Sequence, residues 1–104
     1  MAADVDAVFS ALADPTRREL FEAVAQRGPC TATELAADRP ITRQAVAKHL
    51  GVLGEAGLVA ARREGRETRF RATPAPLAVA RRWMDETGAA WEQRLGALSR
   101  HLEG

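Results

Sequence analysis

The sequence predicts a mainly α-helical domain carrying one small β-hairpin, and three observations predict it. Apolar residues recur at spacings of three and four through most of the chain, the signature of helix faces. The period drops to two in one short stretch, where Thr68, Phe70 and Ala72 alternate with Arg69 and Arg71. Caps and breakers separate these segments: Asp14-Pro15, Gly28-Pro29, Asp38-Arg39-Pro40, Gly57 and Thr73-Pro74-Ala75-Pro76. The 104 residues make a single domain, 1–104, since domains cluster near about 100–150 residues.

Taken in order, Val5, Val8, Phe9 and Leu12 form one face of a short first helix. Asp14 is a good N-cap for the second, and Pro15 fits its first position, where no N–H is needed. Leu20, Phe21 and Val24 line that helix and Gly28-Pro29 ends it. Thr31 and Glu34 have capping-box spacing, opening a short third helix through Leu35, Ala36 and Ala37. Thr42 caps the next, spanning 42–56, in which Val46, Leu50 and Leu53 make the apolar stripe and Gly57 is the stop. Two helices joined by a tight turn within about 25 residues form the helix-turn-helix pattern.

Residues 58–72 read as the hairpin, turning at Arg63-Glu64-Gly65-Arg66. Thr73-Pro74-Ala75-Pro76 is then a linker, and 77–102 a long final helix. That helix carries a seam of Leu77, Ala80, Met84, Gly88, Trp91, Leu95, Leu98 and Leu102, spaced by threes and fours like a coiled coil. The first and last helices together hold more apolar surface than a three-helix core needs. The seam is therefore expected to bury against a second copy, with folding back onto the chain's own core as the alternative.

Composition excludes several classes. Hydrophobic residues make up 46% and charged residues 28%, a globular balance. No apolar run approaches the roughly 18–20 residues of a membrane span, and the first twelve residues carry Asp4 and Asp6 with no basic leader. Cys30 is the one cysteine, so neither an internal disulfide nor a thiolate metal site is available. The expected location is the cytoplasm.

The net charge of +1 hides an uneven distribution. Residues 1–38 hold three basic and seven acidic side chains, a balance of −4. Residues 39–71 hold eight basic and three acidic, a balance of +5, and the remainder is neutral. A basic block of this kind is an electrostatic footprint for a polyanion, with a solvated basic face as the plainer reading. Fourteen of the fifteen basic residues are arginine, whose planar fork suits phosphates and guanine edges.

On the helix from Thr42, the face opposite the apolar stripe presents Arg43, Gln44, Ala47 and Lys48. Recognition helices read base edges near their N-terminus. Arg43 suits a guanine and Gln44 an adenine, while Thr42 and the positive helix end suit a phosphate and Lys48 the backbone. His49 lies between the two faces, where a helix-fixing hydrogen bond and a base contact both fit. Arg63 and Arg66 mark the hairpin tip; Arg69 and Arg71 read as a solvated hairpin edge. Arg17 and Arg18, near Asp14 and Glu22, fit local ion pairs as well as a DNA role.

The segments Ala11-Leu12-Ala13-Asp14-Pro15-Thr16-Arg17-Arg18, Val46-Ala47-Lys48-His49-Leu50-Gly51-Val52-Leu53, Glu55-Ala56-Gly57-Leu58-Val59 and Arg62-Arg63-Glu64-Gly65-Arg66 resemble the arsenic-repressor (ArsR) family of bacterial winged-helix regulators. Each motif alone is weak, but four in register cover nearly the whole chain. The stretch from Trp83 to Leu102 resembles the branch that lacks metal sites. The resemblance implies a winged helix-turn-helix homodimer, paired through its first and last helices, that represses transcription at a two-fold symmetric operator in double-stranded DNA. It makes the hairpin the wing and puts a histidine at His49. An interface through those helices takes in Val5, Val8, Phe9, Leu77, Met84, Trp91, Leu95 and Leu98.

Neither a cofactor nor a metal is expected. Metal-sensing members carry paired cysteines, or an acid with histidines, on the third or last helix. Here the third reads Thr33-Glu34-Leu35-Ala36-Ala37-Asp38, and Asp85 and His101 lie sixteen residues apart. Cys30 fits a small half-buried thiol better than a lone redox switch. Without a phosphate loop or nucleophile motif, catalysis has no support. The competing functions are a winged-helix adaptor docking through its acidic first third, and a regulator sensing a small molecule near Trp83, Met84 and Trp91. The effector is unknown. The cationic face of Arg43, Gln44 and Lys48 beside an arginine-tipped hairpin favours DNA.

Overall fold

The computed structural model describes residues 4–103. Among them five helices and one antiparallel hairpin follow in the order α1 (Val5–Leu12), α2 (Pro15–Arg27), α3 (Ala32–Ala36), α4 (Arg43–Glu55), β1 (Val59–Glu64), β2 (Glu67–Ala72) and α5 (Ala75–Glu103). Each early helix starts where a side chain satisfies the free N–H groups of its first turn. Asp4 accepts from the Asp6 N–H, Asp14 from those of Thr16 and Arg17, and Thr42 from that of Ala45. Thr31 and Glu34 close a reciprocal capping box, Thr31 Oγ1 accepting from the Glu34 N–H at 3.1 Å and Glu34 Oε1 from the Thr31 N–H at 2.8 Å.

One core joins these elements. Val8 and Ala11 of α1, Leu20, Phe21 and Val24 of α2, Leu35 of α3, Val46, Leu50 and Leu53 of α4, then Leu58, Val59 and Ala80, are all buried. Val8 has no exposed surface. Its expected place at a dimer face is therefore corrected: it packs inside the chain's own core.

Two arginines weld α1 to α2. Arg17 Nε donates to the Ala11 carbonyl at 2.7 Å and its Nη2 to that of Ser10 at 3.0 Å; Arg18 Nη1 donates to those of Leu12 and Ala13. The last carbonyls of α1, of which Ser10's also accepts the Ala13 N–H, are met by cations at the helix's negative end.

The hairpin pairs Val59 with Ala72 through to Glu64 with Glu67, leaving Gly65-Arg66 as a two-residue turn. Gly65 has φ 62° while Arg66 keeps a negative φ, the pattern of a type II′ turn that needs glycine first. The turn is thus tighter than the expected Arg63-to-Arg66 span. Arg63 belongs to β1, opposite Thr68, and its Nε folds back onto the Gly65 carbonyl at 3.0 Å.

A third extended segment meets the hairpin. The Cys30 N–H donates to the Phe70 carbonyl at 3.0 Å, and the Phe70 N–H donates to that of Cys30 at 2.7 Å. The last helix begins earlier than expected, at Ala75 rather than Leu77. Pro76 is tolerated because first-turn N–H groups have no helical partner to lose. From Arg81 to Leu102, α5 leaves the core: its side chains are exposed apart from half-buried Thr87 and Gly96, and the described residues span 69 × 32 × 19 Å.

Candidate nucleic-acid interface

The N-terminal half of α4 has two unlike faces. Val46, Leu50 and Leu53 are fully buried, while Arg43, Gln44, Ala47 and Lys48 are exposed. Thr42, at the cap, is exposed too, with its hydroxyl oxygen engaged by the Ala45 N–H at 3.0 Å. A groove of about 680 Å³ runs between this face and the hairpin; Arg43, Gln44 and Ala47 line one side and Arg66, Thr68 and Arg69 the other. Helix face and hairpin therefore bound one concavity with cationic side chains on both walls.

His49 lies apart from that groove. It is half-buried on the flank of α4 nearest the start of α2, close enough for its charge to bear on Asp14. Asp14's carboxyl is held below its ordinary value chiefly by the Thr16 N–H it accepts, aided by Arg17 and, least, by His49. Arg63 is drawn toward its own turn, and Arg66 projects, exposed, from the turn itself.

Arg69, read from the sequence as a solvated edge, is not one. Its guanidinium meets Glu64 at 3.3 Å, Glu67 at 3.4 Å and Glu34 of α3 at 3.5 Å. Alternating charges in 62–69 hinted at the first two, since Arg62 and Arg69 face each other across the hairpin and need a carboxylate between them. The third joins residues 35 positions apart and had no local signal. Glu34's carboxyl is lowered first by its Thr31 hydrogen bonds and then by Arg69 and Arg27.

Cys30 is buried, and burial pushes its thiol up, away from the reactive thiolate. Among the described residues no group of three or more His, Cys, Asp or Glu is placed to hold a metal ion, and no helix is long and apolar enough to cross a membrane.

The side chains expected at a second-copy interface divide by depth. Val5 and Leu77 are half-buried against the core. Phe9 is 37% exposed, Met84 50%, Trp91 55%, Leu95 58% and Leu98 53%. Phe9 meets Trp83 edge to face at 5.5 Å, tying α1 to α5, and Arg94 lies over the Trp91 ring at 5.7 Å.

Residues 12–62 match the family model described as a helix-turn-helix domain. The chain is 42% identical over 80 residues to the HTH-type transcriptional regulator Rv2034 of Mycobacterium tuberculosis, covering 77% of this chain and 74% of that one. An ArsR-like transcriptional regulator from Rhodococcus superposes with a TM-score of 0.81 at 41% identity, over 92% of this chain and 90% of that one. A Mycobacterium bovis domain described as a homodimeric winged helix-turn-helix DNA-binding domain superposes with a TM-score of 0.65 at 25% identity, over 81% and 78% of the two chains.

Proposed function

The chain belongs to the ArsR family of helix-turn-helix transcriptional regulators, and from that premise we propose that it binds a two-fold symmetric operator as a homodimer and represses transcription there. The family is one of DNA-binding regulators rather than enzymes. The observation that carries the proposal is the exposed cationic face of α4 across one groove from the arginine-bearing hairpin. In this reading α4 enters the major groove, with Arg43 and Gln44 on base edges and Thr42 and Lys48 on the flanking phosphates. Arg66 and Arg63 of the wing follow the backbone or the adjacent minor groove. His49 serves the packing of α4 against α2.

Pairing rests on α5. A projecting helix whose Met84, Trp91, Leu95 and Leu98 are all at least half exposed gains most by covering them with the same helix of a second copy, joined by Phe9 of α1. Two reading helices related by a two-fold axis then meet two half-sites about one helical turn apart. The cytoplasm, and the nucleoid when bound, is the compartment this function requires, and the repressor assignment follows the family resemblance.

The test is fluorescence anisotropy against a labelled duplex from the protein's own promoter, beside a random duplex of equal length, at two salt concentrations. A specificity ratio of about a thousand or more supports the proposal. Equal, salt-labile binding to both reduces it to a generic basic face, and no binding to either at low salt moves the function to protein contact.

A further inference from the structure

At its root the wing packs on the core through Val59, Phe70 and Ala72, and polar contacts tie its strands to earlier elements. One is the backbone bridge between Cys30 and Phe70. Packing and bridge hold the hairpin's root, while residues 61–67 beyond it are all exposed. Another is made by Arg69, whose fork gathers Glu64 of β1 and Glu67 of β2 and then reaches Glu34 of α3. We propose that the Arg69–Glu34 pair is a strap that sets the wing's angle against α4, making both residues positioning residues for DNA binding. The strap's effect on affinity rests on the DNA-binding reading above.

Two features set this pair apart from an ordinary surface ion pair, which contributes little because two long side chains must be ordered to form it. Here both ends are ordered already. The Glu34 carboxylate is held by the Thr31 N–H at 2.8 Å, with Arg27 on its other oxygen at 3.9 Å. The Arg69 guanidinium is held by both strands of its own hairpin. Location gives the pair its consequence. Glu34 and Arg69 line the same groove as Arg43, Gln44 and Arg66, so the strap ties the wing to α3 at the edge of the space between wing and reading helix. Arg66, in the turn, lies three residues from Arg69 along the chain, about 10 Å out at strand rise, so a small rotation at the root shifts the tip's phosphate contact.

Glu34→Gln is the informative variant. Glutamine also completes a capping box, so α3 is retained while the charge that holds Arg69 is lost. In the full-length protein, the ¹⁵N order parameter of the Gly65 amide, measured without DNA, should fall in Glu34→Gln and in Arg69→Ala. Affinity for the promoter duplex should weaken about threefold to tenfold in each, and the double variant should be little worse than either single one. A wing tip as ordered in Glu34→Gln as in the unmodified protein would overturn the strap, and so would losses that simply add in the double variant. If the unmodified protein held no duplex at all, the DNA-binding reading would fall while the wing-order measurement still decided the strap.

Discussion

Phe9 of α1 and Trp83 of α5 meet edge to face, ring centroids 5.5 Å apart at 72°, each with more than a third of its surface open to solvent. The contact joins the first helix to the last at the point where α5 departs from the core. It sets Phe9 beside Met84, at the start of the α5 face that also carries exposed Trp91 and Leu98, the surface on which pairing is proposed.

Truncating Trp91 separates pairing from folding. Within one chain Trp91 is 55% exposed and stands clear of the core, so Trp91→Ala should leave the helix content unchanged. As a central aromatic of the interface it should weaken the dimer by about 2 kcal/mol or more, about thirtyfold in Kd. Sedimentation equilibrium reads the change; a dimer of undiminished strength would move the interface off this seam.

A contrasting variant is Leu50→Ala, which empties a site with no exposed surface behind the reading helix. It should cost about 2–5 kcal/mol of stability, visible in denaturant unfolding. Loss of well under 1 kcal/mol would show that the α4 stripe is not the core's centre.

Acid should find the capping box. Glu34 titrates lower in the folded chain than its ordinary 4.5, mainly because it accepts the Thr31 N–H and hydroxyl. Asp14 likewise lies below its ordinary 3.8. The stability each adds is therefore fully present above the ordinary value and lost as pH falls through the lowered one. Melting temperature should be level with respect to these groups from neutral pH to about 5 and fall below about 4.5, with a shallower fall in Glu34→Gln. Parallel acid profiles for the two proteins would clear Glu34 of the effect.

Cys30 should be a slow thiol. Its burial, and the upward shift that burial causes, leave little thiolate at the surface. An aromatic disulfide reagent should label the native protein only at the rate of its opening and label the denatured protein at once. Rapid labelling of the native chain would reopen a redox role.

Elements with a local cause were legible in the sequence, and those made by distant meetings were not. The caps at Asp14, Thr31 and Thr42 act within three residues, and the buried stripe of α4 is a matter of period, so both could be read directly. The Cys30–Phe70 bridge involves one residue on one side, too short to show alternation. The Arg69–Glu34 pair is set by how the hairpin falls across α3; Arg17 does pair with Asp14, at 3.5 Å, but it and Arg18 also find carbonyls because α1 ends beneath them. Val8 illustrates a different limit. Phe9, its neighbour on the same short face, stays open while Val8 is sealed, and apolar spacing alone does not say which of two residues a core takes.

The central claim is that the exposed face of α4 reads bases, and Arg43→Ala tests it most directly. With promoter and random duplexes run side by side, binding to the promoter should weaken by about 1–3 kcal/mol while binding to the random duplex and the dimer itself hold nearly constant. Unchanged promoter affinity, or an equal loss on both duplexes, would contradict it and leave Arg43 no more than one phosphate contact among several.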